Sequence, residues 1–268
     1  MDYLKEVKEA AEEVLKVLGE GYEEKVYEEA LAHELRIRKI PYERQRNFEI
    51  IYKGYKVGEG RADLILNPLW YNKSGEEIVL ELKKVKKISD AHRRQTQVYM
   101  VSLNINKGAI LNFGDEIILE EVERPKRNIN SSVTQAKKSN EPISSLLKRA
   151  ANEVFEYFGV EFLYRETKEG KGSDIFSNAI GVELRLNGIE YSTADFPICY
   201  KHHVVDWFSF NFIFPSGEIA NVYSYKDEEE IEEKLEEVKS YLKLFNLKKG
   251  YLICFPSNEE DKVLVKEV

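Results

Sequence analysis

The sequence predicts an α/β fold, a mixed sheet flanked by helices, and predicts it twice in one chain. Three observations carry this. Helical and strand-like hydrophobic periods follow one another in the order helix, helix, strands, helix, strand. The same order returns about 149 residues later with matching residues. Between the two runs lies RPKRNINSSVTQAKKSNEP (124–142), polar, basic and bounded by prolines, which reads as a linker. The expected domains are 1–123, a linker at 124–143, and a second copy at 144–268.

The first helix is expected over 3–18, where Leu4, Val7, Ala11, Val14 and Leu18 recur at helical spacing before Gly19 and Gly21. A second, 23–37, carries the stripe Val26, Ala30, Leu31 and Leu35 with Tyr27 beside it. RNFEIIYKGYKVGEG (46–60) reads as strand, turn at Lys53-Gly54, and return strand. ADLIL (62–66) reads as a separate strand, NPLWYNKSGE as a loop and residues 77–83 as a strong strand around IVLELK. A helix at 90–103 and strands at 108–113 and 116–122 complete the copy.

The repeat is visible residue by residue. YEEALAHELRIRKIPY (27–42) matches FSNAIGVELRLNGIEY (176–191) at Ala30/Ala179, Glu34/Glu183, Leu35/Leu184, Arg36/Arg185, Ile40/Ile189 and Tyr42/Tyr191. Tyr52-Lys53 returns as Tyr200-Lys201, ADLIL as FNFIF (210–214), and Asn104-x-x-Lys107-Gly108 as Asn246-x-x-Lys249-Gly250. LLKRAANEVFEYFGV, from 146, repeats the leading helix. The charged helix at 227–245 stands where the 90–103 helix stood, as a solvated face with acidic start and basic end.

Composition bounds the class. The 268 residues carry 43% hydrophobic and 33% charged side chains, and 16 Tyr and 13 Phe supply material for cores. No apolar run approaches the roughly 18 to 20 residues of a membrane span, and the N-terminal helix lacks a secretory h-region. The expectation is a cytoplasmic protein with no membrane partner. Cys199 and Cys254 sit in apolar strand-like runs and are expected as buried free thiols. The four histidines, 33, 92, 202 and 203, give no zinc spacing with them.

The net charge of −8 is uneven: −2 over 1–120, +3 over 121–148 and −9 over 149–268. The acidic second copy would repel a phosphate backbone and suits a protein partner. The first copy concentrates its positive charge in KKVKK (83–87), with Arg93 and Arg94 close behind.

The chemistry gathers on two strands. Side chains alternate along IVLELK, so Ile78, Leu80 and Leu82 face one way and Val79, Glu81 and Lys83 the other. If the Asp63 strand runs alongside, Asp63, Glu81 and Lys83 meet at one sheet edge. Two carboxylates suit a hard cation, Mg²⁺ or Mn²⁺. Taken alone, Glu and Lys at i and i+2 are ordinary decoration of a solvated strand. The surrounding pattern lifts them above that.

GYEEKVY (21–27) fits G-x-x-E-x-x-Y. Together with ALAHELRIRKIPYERQ, YKGYKVGEGRADLIL, IVLELKKVKKISDAHRRQTQVYM and GAILNFG, residues 18–114 resemble the GxxExxY family of the PD-(D/E)XK nuclease superfamily. The resemblance implies a restriction-endonuclease-like core and metal-dependent phosphodiester hydrolysis on DNA. It makes Asp63 the motif aspartate, Glu81 and Lys83 the E-x-K pair, both carboxylates metal ligands, and Gln95 a helix residue near the site. A helix carboxylate completes the site in many relatives. Glu24 and Glu34 are the two candidates, about three turns apart. Glu34 returns as Glu183, which favours a structural role, while Ser173 stands at the place of Glu24. Tyr27 is expected to pack. Arg61, Lys84, Lys86, Lys87, Arg93 and Arg94 are candidate phosphate contacts.

The second copy departs from this pattern. Asn211 replaces Asp63, Glu237 replaces Gln95, and aligning IANVYS with IVLELK sets Val222 and Ser224 at Glu81 and Lys83. It is expected to be catalytically silent. A non-cutting nucleic-acid-binding protein and a protein-interaction scaffold are the alternative readings.

Overall fold

The computed structural model describes residues 2–73, 75–125, 139–162 and 175–268. The middle of the expected linker and Ser173 lie outside these. The chain divides into two compact units, one of Met1–Ile51 and Gly58–Asn130, the other of Tyr52–Val57 and Ser131–Val268.

In the first unit, helix α1 (Tyr3–Leu18) begins at Asp2, whose Oδ1 accepts from Lys5 N at 3.3 Å. It ends at Gly19, where φ is +76°. Helix α2 (Glu24–Ile37) follows. Strands β1 (Tyr42–Tyr52) and β2 (Tyr55–Leu66) form the expected hairpin. ADLIL is not a separate strand. It is the end of β2, because nothing in KVGEGR breaks the extended chain between them. β3 (Ile78–Lys83), α3 (Asp90–Ser102), β4 (Lys107–Phe113) and β5 (Ile117–Glu123) complete the unit.

The sheet order is β1-β2-β3-β4-β5. β3 and β4 are parallel, as a helical crossover through α3 requires, while β2–β3 and β4–β5 are antiparallel. Ile78, Leu80 and Leu82 pack with Val7, Ala10, Val14, Leu31 and Leu35 of α1 and α2 into one core. The period-2 alternation therefore sends Val79, Glu81 and Lys83 to the other face.

The second unit repeats this with α4 (Ile143–Phe158), α5 (Ile175–Leu186), β6 (Ser192–Tyr200), β7 (His203–Ile213), β8 (Ile219–Tyr225), α6 (Glu228–Leu244), β9 (Gly250–Pro256) and β10 (Leu264–Glu267). Its sheet has the same sequential order, again with one parallel pair, β8–β9. α4 ends at Gly159 with φ +68°, as α1 ends at Gly19. The hairpin tip 52–57 is part of this unit. Tyr52 OH donates to Glu183 Oε1 at 2.7 Å, Lys53 Nζ lies 2.8 Å from Glu153 Oε2, and Asn178 Nδ2 donates to Val57 O at 2.9 Å.

One cysteine expectation is corrected. Cys254 is buried, and burial pushes its thiol up to about 12. Cys199 is exposed, because the outer part of β6 pairs only with β7 and has solvent on both faces. Among the described residues no helix is long and apolar enough to cross a membrane.

Candidate active site

The site is built where β2 and β3 stop pairing. Their register runs Leu66–Ile78, Ile65–Val79 and Leu64–Leu80. One more step would set Asp63 opposite Glu81. There the aspartate side chain replaces the backbone ladder, and Asp63 Oδ2 accepts from Leu82 N at 2.9 Å. Two acids of adjacent strands are thus fixed at one point of one sheet face. Glu81 is only 1% exposed, whereas Asp63 and Lys83 are half-buried.

α2 brings a third carboxylate. Glu24 is the first residue of that helix, and as a residue it is exposed. Its carboxyl end nevertheless turns toward the sheet. Crowding there raises its pKa above the ordinary carboxylate value, through loss of solvent first and then through the charges of Asp63 and Glu28. The Lys83 ammonium and the Lys84 backbone N–H pull in the opposite direction. Glu34, three turns on, is held instead by Arg38 at 2.7 Å. Of the two helix candidates, Glu24 is therefore the one directed toward Asp63 and Lys83.

The G-x-x-E-x-x-Y segment has a physical basis in this placement. Gly21 has φ +99°, a conformation natural to glycine. Tyr27 is buried, donates to Gly19 O at 2.8 Å and stacks on Phe113 with 4.8 Å between ring centroids. The Tyr27 hydroxyl also accepts from Tyr22 N at 3.4 Å, so Tyr27 ties the start of α2, where Glu24 lies, to the segment before it. Tyr27 packs, as expected.

On α3, Gln95 is 5% exposed and its Nε2 donates to Tyr99 OH at 3.2 Å. Lys84, Lys86, Lys87 and Arg61 are exposed. Lys84 Nζ lies 6.0 Å from the Tyr27 ring centroid. Arg94 is half-buried. Arg93 is tied to Asp90 at 2.7 Å and to Glu120 Oε2 at 3.0 Å, so its charge is already matched.

Asn112 escaped the sequence reading. Its Oδ1 accepts from Val85 N and its Nδ2 donates to Val85 O, both at 2.9 Å, and it faces Lys83 across the β3–β4 pairing. It fastens the basic loop after β3 to the sheet. A polar residue near the end of the apolar run AILNF was the available signal.

The second unit corrects the expected counterparts. Phe212 pairs with Ala220 and Ile213 with Ile219, the places of Leu64–Leu80 and Ile65–Val79. Ile219 also faces Gly250 as Val79 faces Gly108. Glu81 therefore corresponds to Asn221 rather than Val222, and Lys83 to Tyr223 rather than Ser224. Both acids have become carboxamides. Asn211 Oδ1 accepts from Val222 N at 2.8 Å, repeating the Asp63 bond. Asn221 Oδ1 accepts from Asn211 N at 2.9 Å and its Nδ2 donates to Ser209 O at 3.3 Å. Lys234 covers the Tyr223 ring at 5.2 Å and pairs with Glu237 at 2.5 Å. Among the described residues no three His, Cys, Asp or Glu side chains converge into a ready metal cage.

Comparison with known proteins agrees with the duplicated architecture. No curated protein matches the chain. A solved structure described as the crystal structure of SSO0001 is 26% identical over 47% of this chain and 62% of its own, with a TM-score of 0.31. The chain thus spans less than two thirds of that protein. The sequence profile of the PD-(D/E)XK nuclease superfamily matches twice, over residues 1–125 and 141–267. Through both of its halves, the chain belongs to the PD-(D/E)XK nuclease superfamily.

Proposed function

We propose that the first unit hydrolyses phosphodiester bonds of DNA with a divalent cation, Mg²⁺ or Mn²⁺, and that the second unit does not. The observation that carries this is the contrast between the two units at one position of the fold. Asp63 and Glu81 are carboxylates beside Lys83, while their counterparts Asn211 and Asn221 are amides beside Tyr223. Asn211 keeps the backbone hydrogen bond that Asp63 makes, and neither amide carries a negative charge, so the fold does not demand the charge.

Carboxylate oxygens are the donors a hard cation takes, and a set of two fits a cation that keeps several of its waters. When bound, the ion would polarise a phosphoryl oxygen and make a water more acidic. The chain's own groups have separate tasks. Asp63 and Glu81 would hold the ion, with Asp63 anchored by Leu82 N–H and Glu81 by the rigid buried strand. Lys83 would orient the attacking water or offset the charge developing on phosphate. Glu24 would complete the acidic side of the site. Arg61, Lys84, Lys86 and Lys87, all exposed, would meet the phosphate backbone, while Gln95 would support the site from α3.

The test is a panel of labelled single-stranded, duplex and branched DNA and of RNA, each incubated with Mg²⁺, Mn²⁺ or chelator. Metal-dependent cutting of DNA that falls by about 100-fold or more in Glu81→Ala and Lys83→Ala supports the reading. Tight binding without cutting points to the non-catalytic nucleic-acid-binding alternative. Neither binding nor cutting leaves the protein-interaction scaffold, to which the −9 charge of residues 149–268 is suited.

A further inference from the structure

The second unit contains a docking arrangement whose two halves recur elsewhere in the chain. The hairpin tip Tyr52–Val57 is buried in it, with Tyr52 2% exposed. The Tyr52 ring meets Tyr157 and Phe158 of α4 with centroids 5.1 and 5.7 Å apart. Its hydroxyl reaches Glu183 of α5, and Lys53 bridges Glu183 and Glu153 at 2.5 and 2.8 Å. A tyrosine and a lysine at a hairpin turn thus fill an acidic, aromatic notch between two helices.

Duplication has made a second tip and a second notch. The tip is Tyr200-Lys201, with His202 and His203 following. Superposing the helix ends at Gly19 and Gly159 turns Tyr157, Phe158 and Glu153 into Val17, Leu18 and Glu13, and the sequence repeat turns Glu183 into Glu34. The tip is uncovered: Tyr200 is 62% exposed, and Val205 and Trp207 on the same arm are 55% and 59% exposed. In the notch, Val17 is 71% exposed.

The arm behind the tip is covered only at its base. β7 pairs with β8 only at Phe212 and Ile213, and Phe196 and Phe208 pack on Phe245 and Tyr241 at the end of α6. Nearer the tip the ribbon has only its own two strands, and such a ribbon is marginal in water without a surface to pack on. The acids of the notch already have basic neighbours, Glu34 holding Arg38 at 2.7 Å and Glu13 holding Lys16 at 3.4 Å, so Lys201 would compete for the two carboxylates that correspond to Glu183 and Glu153.

We propose that the tip Tyr200–Lys201 of one chain docks in the α1–α2 notch of a second copy, at Glu13, Val17, Leu18 and Glu34. The contact joins unlike surfaces, so it closes into a dimer when reciprocal and otherwise extends into a chain of molecules.

The experiment is sedimentation equilibrium of the full chain over a wide concentration range. It uses the wild type, Tyr200→Ser and Val17→Asp, two exposed positions outside the candidate active site, with circular dichroism confirming that each variant is folded. The wild type is expected to self-associate. Each variant should associate at least about tenfold more weakly, the loss expected for one anchoring side chain. A mixture of the two variants should recover association, because one chain keeps its tip and the other its notch. A wild type that stays monomeric, or an oligomer that neither variant weakens, overturns the proposal.

Discussion

Asp63 Oδ2 accepts a hydrogen bond from the backbone N–H of Leu82 at 2.9 Å, and Asn211 Oδ1 accepts one from Val222 at 2.8 Å in the second unit. One side-chain oxygen thus does the same structural work twice, as carboxylate and as amide. Asp63→Asn is expected to change the free energy of unfolding by less than about 0.5 kcal/mol, since the acceptor stays. Asp63→Ala strands the Leu82 N–H and is expected to cost about 1–2 kcal/mol. Denaturant titration of both variants checks this. Equal costs would show that the charge itself holds the strands.

Asn211→Ala should destabilise by a similar amount, about 1–2 kcal/mol. It removes the acceptor for Val222 N and disturbs the bond from Asn211 N to Asn221. Cleavage by the first unit should be unchanged. Loss of cleavage without loss of folding would assign the second unit a part in the chemistry.

The two thiols should separate by reactivity. Burial raises Cys254 to about 12, so almost no thiolate forms at neutral or mildly alkaline pH. Cys199 is exposed. A thiol-specific reagent at pH 8 should label one cysteine in the native chain, both in denaturant, and none in native Cys199→Ser. Rapid labelling of native Cys199→Ser would contradict the buried setting of Cys254.

Tyr52→Phe should lower stability by about 1–2 kcal/mol. Glu183 is 2% exposed and would lose the hydroxyl donor, retaining Lys53. Thermal and denaturant unfolding measure the loss. A neutral result would show that Lys53 alone satisfies the buried carboxylate.

The basic residues should divide by whether their charge is already matched. Lys86→Ala with Lys87→Ala removes two exposed cations, and the slope of log affinity against log salt should become shallower by about 2. Arg93→Ala should leave that slope unchanged, because Asp90 and Glu120 hold the guanidinium. Fluorescence anisotropy with a labelled duplex reads both. A shallower slope for Arg93→Ala would place it on the phosphate backbone.

Much of the fold was legible because each element announces itself locally. The Val7, Ala11 and Val14 spacing, the Lys53-Gly54 turn and the alternation of IVLELK all recur in the structure. Register across strands was not legible in the same way. Matching Ile78 to Ile219 by identity looks natural, but the pairing partners fix Val79 opposite that position, and a slip of one residue moves every side chain to the other face. The slip hid Asn221 behind Val222, and with it the change of both acids to amides. The exposure of Cys199 was hidden for a related reason. An apolar strand sequence says that a strand forms, and not whether a neighbour covers it.

The role proposed for Asp63 and Glu81 is to support metal-dependent phosphodiester hydrolysis. Its most direct measurement is the initial cleavage rate of labelled duplex DNA by wild type and Asp63→Asn, at matched Mn²⁺ and with chelator. The wild type should cut, chelator should abolish cutting, and a variant that remains folded should fall by about 100-fold or more. Equal rates for the two proteins, or a rate indifferent to chelator, would contradict it.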